Sequence, residues 1–367
     1  MAAQRPDVAL EPVAYADLAG WARDDHAAAF AAFLKSCPAI AADAAGVRAA
    51  RPGPPGLADI CRAALVAPGG AEARRFFEAH FRPFVIGAAG FVTAYFEPEI
   101  GGSTRPTAIR SVPLLARPAD LVAVTEANRP AVFDPALSAA RSRPAVAGGG
   151  ALEPYPDRAA IEDGALGAAA APLAFLDPVD LFMAHVQGSV RVRFDDGHVR
   201  RFAYAGRNGH PYTSAARLLV ERLGIAPAAM TADKLYGWLR ANREEGRRIM
   251  RQNRSYIFFR PADELGPDDG PVGGAGVPLT PLRSLAVDRS IWSYGLPMFV
   301  TTVLPLPSGE RRAFAQLLIA HDTGSAIQGP ARGDIFMGSG AVAGLLAGLV
   351  REPARLVVLL PAAAGAN

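Results

Sequence analysis

The feature that most constrains this chain is a change of hydrophobic period along it. Between residues 14 and 78, Leu18, Trp21, Ala22, Phe30, Phe33 and Leu34 recur at helical spacing. A second such pattern runs from Leu57 to Leu65, and a short helix is expected over Ala71 to His80. Gly90 to Glu97, GFVTAYFE, then breaks the pattern with an aromatic and β-branched run that reads as a strand. From Val277 onward short strands dominate: Leu285 to Val287, Met298 to Leu304, Ala313 to Ala320 and Leu356 to Leu360. Gly/Pro turns separate them, which predicts a small closed β-barrel.

The middle of the chain is mixed. Pro106 to Gly150 is rich in Pro, Arg and Ala with poor periodicity and reads as loop-rich. Leu181 to Val190 fits either a strand or a helix. Val190 to Phe194, Asp195-Asp196-Gly197 and Val199 to Tyr204 form a hairpin around a D-G turn. Thr213 to Leu223 reads as an amphipathic helix with Leu218, Leu219 and Leu223 inward. Thr231 to Asn242, with Thr231 as N-cap, and Glu244 to Gln252 read as two further helices. Ser255 to Arg260 is a strand, and Leu265 to Gly276 is a hinge-like linker. The whole is mainly β with helices, an α+β chain.

Length and charge narrow the classes. A chain of 367 residues, half of them hydrophobic, suggests two domains. The formal charge of +3 comes without a basic block. In Arg243 to Arg254, acids alternate with bases, the pattern of a solvated helix face, so no nucleic-acid partner is expected. Gly338 to Val350 is too short to span a bilayer. The start MAAQRPDVALEPVAY lacks the apolar core of a signal peptide, which fits a cytosolic chain or a trimmed exported one. Cys37 and Cys61 are either a disulfide or two buried thiols.

Candidate chemistry concentrates between His321 and Gly338. Asp322 and Asp334 sit there in what reads as a glycine-dense loop between strands, where glycine lets backbone approach a ligand. Ile335-Phe336-Met337 follows Asp334. Apolar surroundings raise a carboxyl pKa, which a general acid needs. Taken alone, the stretch fits a plain Gly/Asp turn better. Asp288 ends a predicted strand and reads alone as a turn residue. Tyr204 to Tyr212 is a polar, aromatic loop suited to a sugar surface or to a simple connector. His185, His198, His210 and His321 lack metal-ligand spacing, so no metal site is expected. There is no G-x-S-x-G elbow and no Walker loop, and the GGAGVP stretch near Gly273 opens no helix. No cofactor is expected.

Several motifs then line up. Ala205 to Ser214 (AGRNGHPYTS), Asn253 to Phe259 (NRSYIFF), Val277-Pro278-Leu279, Asp288 to Ile291, Asp322 to Gly329 (DTGSAIQG) and Gly333 to Phe336 (GDIF) resemble the membrane-bound lytic murein transglycosylase A family. Thr93 to Pro98 is similar to that family's entry strand, and Val186 to Ser189 to its middle region. The resemblance covers roughly residues 85 to 345, in the family's order.

The resemblance implies a double-psi β-barrel interrupted by a smaller inserted β-domain, with a substrate groove between them. The barrel would comprise residues 1–105 and 266–367, and the insertion residues 106–265. It implies cleavage of the β-1,4 bond between N-acetylmuramic acid and N-acetylglucosamine in peptidoglycan. Asp334 matches the catalytic acid, and Asp322 and Asp288 are supporting acids of a C-terminal three-aspartate segment. Implied glycan contacts are Tyr95, Gln187, Gly188, Ser189, Tyr204, Gly206, Asn208, Gly209, Tyr212, Ser255, Gly324, Ser325, Ala326 and Phe336. Peptidoglycan strands are the implied partner of a monomeric, exported, periplasmic protein, with an outer-membrane lipid tether as the family's frequent addition. Ser325 stands where the family usually has a second Gly, and Gly333 where some members carry an aromatic residue. The rival readings are a two-carboxylate hydrolase using Asp334 with Asp322, and a non-catalytic expansin-like glycan binder.

Overall fold

The computed structural model describes residues 8–68, 70–143, 151–266 and 269–362. The beginning of the N-terminal segment, residues 144–150 of the Pro/Arg/Ala-rich stretch and Pro267-Asp268 of the linker lie outside them. The chain divides into two compact units, Met1–Phe96 with Leu265–Asn367, and Glu97–Glu264.

In the first unit, helix His26–Ala41 starts at Asp25, whose side chain accepts from the Ala28 amide. Helix Leu57–Val66 packs beside it, and Cys37 and Cys61 join the two in a disulfide with a Cα separation of 4.7 Å. Phe30, Phe33 and Phe77 from these helices and from Ala73–His80 merge with strand residues Val92, Leu285, Met298, Leu317, Ile335 and Val358 in one core.

An 8-stranded sheet provides the other side of that core. Strands Gly90–Glu97, Arg332–Ser339, Ser284–Val287, Arg311–Asp322, Pro297–Pro305 and Arg351–Pro361 are neighbours in that order. Arg351–Pro361 pairs again with Gly90–Glu97, so the pairings of these six strands run in a closed circuit. Leu10–Pro12 and Phe81–Ile86, neither expected from the sequence, extend it. Ser284–Val287 is buried along its whole length, parallel to Arg311–Asp322 and antiparallel to Arg332–Ser339.

The second unit holds the expected hairpin, Ser189–Arg193 against Val199–Arg207, with Ile257–Pro261 on its other edge. Leu181 to Val190 resolves into both readings: helix Pro178–Gln187 ends at Gly188 (φ 86°), and a strand begins at Ser189. The stretch read as loop carries strands Val112–Leu115, Leu121–Ala123 and Ala139–Ser142, too short and Pro-flanked to show a period. Thr231 caps its helix as expected, accepting from the Lys234 amide. Leu219 is buried as expected, but Leu223 is 43% exposed because Gly224 ends the helix one residue later.

Candidate active site

The site is built from three strands of the first unit. Asp334 is not in a loop, as its glycine-rich surroundings suggested. It lies inside strand Arg332–Ser339, opposite Ala286 in the antiparallel register. Asp322 is the last residue of Arg311–Asp322 and also lies opposite Ala286, from the parallel side. That second pairing depends on a register shift. Ser284 faces Ile319 and Leu285 faces Ala320, yet Ala286 faces Asp322, so His321 is the extra residue of a bulge. Its ring is buried, with Nδ1 2.9 Å from Ser284 Oγ. Because alternate residues of a strand share a face, the bulge brings Asp322 to the face that carries Ala286 and Asp334. Leu285 and Ile335 point to the core instead.

Strand Gly90–Glu97 supplies Thr93 and Tyr95, two residues apart and therefore on one face. Tyr95 donates its hydroxyl to Asp322 Oδ2 at 2.9 Å, and the Gly274 amide donates to Asp322 Oδ1 at 2.8 Å. Both Asp322 oxygens are thus held. Burial, and then the Asp322 charge, push the Tyr95 phenol well above its ordinary pKa, so it remains a donor. Tyr95 also packs on Phe336, with ring centroids 5.3 Å apart.

Asp334 is half-buried. Thr93 donates its hydroxyl to Asp334 Oδ1. Burial pushes the Asp334 carboxyl up to about 6; the Thr93 hydrogen bond and the Arg332 charge oppose this, and the Asp322 charge adds to it. A carboxyl in that range can both give and take a proton near neutrality.

Asp288 does other work. Its Oδ1 accepts from the Ser290 amide and hydroxyl, and its Oδ2 from the Gly329 amide at 2.7 Å. It ties the loop after Asp322 to the end of Ser284–Val287. Within that loop Gly324 is half-buried, and Ser325 and Ala326 are exposed.

The second unit holds the other sequence candidates. Asn208 is fully buried, and its side chain reaches the Pro156 and Arg254 carbonyls and the Tyr256 amide. Gly209 adopts φ 84°, where an added Cβ would lie 2.2 Å from the Ala139 nitrogen. Ser189 and Ser255 are buried, and the Ser255 carbonyl accepts from Arg158. Gly206 sits at the irregularity between Val199–Arg207 and Ile257–Pro261. Gln187, Gly188, Tyr204 and Tyr212 are half-buried. Asn208 and Gly209 therefore hold the loop's backbone in place.

Sequence reasoning missed Thr93, Arg332 and Gly274 as site residues. Alternation would have shown the first two, since Thr93 precedes Tyr95, and Arg332 precedes Asp334, by two positions. Among the described residues, no group of three or more His, Cys, Asp or Glu side chains could hold a metal ion.

Residues 91–260 match the family described as the MltA specific insert domain, and residues 283–360 match the 3D domain. The crystal structure of a membrane-bound lytic murein transglycosylase from Agrobacterium tumefaciens is 38% identical. It aligns over 96% of this chain and 98% of its own, with a TM-score of 0.85. The chain belongs to the membrane-bound lytic murein transglycosylase family. The MltA structure from Neisseria gonorrhoeae is 30% identical, over 97% and 93% of the two chains, with a TM-score of 0.77. Among curated relatives, membrane-bound lytic murein transglycosylase A of Vibrio cholerae is 37% identical over 53% of this chain. That match spans about half of the relative's length, at 52%. The mixed, mostly β architecture is that of the MltA-type transglycosylases. No helix among the described residues is long and apolar enough to cross a membrane.

Proposed function

We propose that this protein is a lytic transglycosylase that cleaves the N-acetylmuramic acid–N-acetylglucosamine β-1,4 bond of peptidoglycan, with Asp334 as its single acid and base. The observation that carries this is the setting of Asp334: a half-buried carboxyl pushed up to about 6, with one oxygen held by Thr93. Protonated Asp334 gives its proton to the glycosidic oxygen, and the C1–O bond breaks. The resulting carboxylate takes the proton of the muramyl C6 hydroxyl, and O6 closes on C1. The product is a 1,6-anhydromuramyl end. The attack is intramolecular, so no water or enzyme nucleophile is consumed.

The contacts of Asp322 favour this over a two-carboxylate hydrolysis. Tyr95 and Gly274 occupy both of its oxygens, which suits an orienting anion better than a base or nucleophile. Asp288 orients the Gly324–Ala326 loop. Gly324, Ser325, Ala326 and Tyr95 are the proposed glycan contacts of the first unit, with the fully buried Phe336 backing the Tyr95 ring; Gln187, Gly188, Tyr204, Gly206 and Tyr212 are those of the second.

The same reading takes the closed circuit of strands as a double-psi β-barrel and residues 106–265 as the inserted domain, a span close to that of the second compact unit, Glu97–Glu264. It places the protein in the periplasm, acting as a monomer on glycan strands. Mass spectrometry of murein digested by the purified protein tests it. Anhydromuramyl ends are expected, and reducing ends alone would overturn the lytic reading.

A further inference from the structure

Asp334 does not stand alone: Arg332 Nη2 donates to Thr93 Oγ1 at 2.6 Å, and Thr93 donates onward to Asp334 Oδ1. The direction follows from the donor inventory. A guanidinium has donors only, so Thr93 must accept from Arg332. The threonine hydroxyl then has one proton to place. Among the described residues its other hydrogen-bond partner is Asp334 Oδ1. Donating to that oxygen pairs every group. Accepting from a protonated Oδ1 would leave the threonine proton without an acceptor in a half-buried site, a costly arrangement. Oδ1 therefore faces a donor whether or not Asp334 is ionised. Oδ2 accepts no hydrogen bond from any described residue.

We propose that Arg332 and Thr93 are positioning residues that confine the exchangeable proton of Asp334 to Oδ2, so that one oxygen first gives the proton and later takes one back. This rests on the reading of Asp334 as the acid and base. In the first half-reaction the Oδ2–H proton passes to the leaving oxygen. In the second, the freed Oδ2 lone pair receives the O6 proton. The carboxyl does not need to rotate between the two transfers, and Oδ1 stays fixed by Thr93 throughout. Arg332 is itself held, with its guanidinium 5.3 Å from the Phe91 ring centroid and Nη1 donating to the Gly333 carbonyl.

The test is the pH profile of anhydromuropeptide release from purified murein by the full chain and its variants. Thr93→Val keeps the β-branched shape but cannot donate. It should lower kcat by on the order of 10-fold to 100-fold, the span of one charge-assisted hydrogen bond, with KM little changed. It should also move the alkaline limb to higher pH, because the lost bond favoured the carboxylate. Thr93→Ser restores the donor and should recover both rate and limb. Arg332→Met should move kcat and the limb in the same directions. The Arg332 hydrogen bond acts through Thr93, so the double variant should have a kcat no lower than Thr93→Val, although loss of the Arg332 charge should still move the limb further up.

Wild-type kcat and limb in Thr93→Val, no recovery in Thr93→Ser, or effects of the two substitutions on kcat that multiply would each overturn the relay. Asp334→Asn separates this from the underlying reading. If it is inactive while Thr93→Val behaves as wild type, only the relay falls; if it is active, both fall.

Discussion

Asp322 and Asp334 lie opposite the same residue, Ala286, one across a parallel pairing and the other across an antiparallel one. Two strand spacings place their backbones roughly 10 Å apart on one face. Their environments then separate them. Asp322 is pinned through both oxygens, while Asp334 keeps one oxygen free of protein donors among the described residues. Two like residues in one row thus sit in different environments.

Asp334→Asn should abolish turnover by about 100-fold or more while glycan binding persists, since it removes the only proposed proton carrier. Its stability effect has a definite sign. The folded pKa of about 6 lies above the ordinary 3.8, so ionisation opposes folding increasingly as pH rises between those values. Asparagine removes that cost. The variant should melt higher than wild type at neutral pH, by on the order of 3 kcal/mol at most, and equally at low pH. Thermal melts at both pH values check this.

The rate should also depend on pH through Asp334. The first step needs the protonated acid, so kcat/KM should fall as pH rises through about 6. A flat profile through that range, measured on soluble glycan fragments, would remove Asp334 as the acid.

Tyr95→Phe deletes the hydroxyl that holds Asp322 Oδ2. A hydrogen bond to a charged group is worth about 1.5–3 kcal/mol, so chemical denaturation should show a loss of that order. Asp322→Ala should cost more, because Tyr95 and the Gly274 amide both lose their acceptor. Asp322→Asn should reduce turnover less than Asp334→Asn does.

Gly209→Ala should destabilise the second unit by about 3 kcal/mol or more. The position combines φ 84° with backbone of Ala139 2.2 Å from the new Cβ. Limited proteolysis of residues 97–264 would report the loss. An unchanged melting curve would mean that this loop does not depend on the close approach.

Cys37 and Cys61 are 24 residues apart, and cross-linking a loop of that size restricts the unfolded chain by roughly 3 kcal/mol. Reduction, or replacement of both by Ser, should lower the melting temperature correspondingly. The active-site pH profile should not move, because neither residue belongs to the Asp322–Asp334 group.

Much was legible before any coordinates. Gly90 to Glu97 reads as a strand because its composition and turn-like flanks agree, and the hairpin around Asp196-Gly197 because only a tight turn fits between two alternating runs. Thr231 reads as a cap because its short side chain can reach the third amide of its helix. The sequence points to Asp334 through the apolar residues that follow it; burial raises its carboxyl pKa, but it lies inside a strand and not in the loop its glycines suggest. Arg332–Ser339 begins and ends among glycines, and the local pattern that marks a loop outweighed the alternation of Arg332, Asp334 and Phe336.

The sequence by itself determined which segments are helix or strand where local period is strong, and which carboxyl would sit among apolar side chains. Only the tertiary structure decided that Gly90–Glu97 closes a circuit by pairing with strands more than two hundred residues away, and that a one-residue bulge at His321 brings Asp322 to the face of Asp334. Local period depends on side chains a few positions apart, and the chain carries that information directly. Register between distant strands depends on long-range pairing and core packing, and shifting it by one residue exchanges the two faces of a strand.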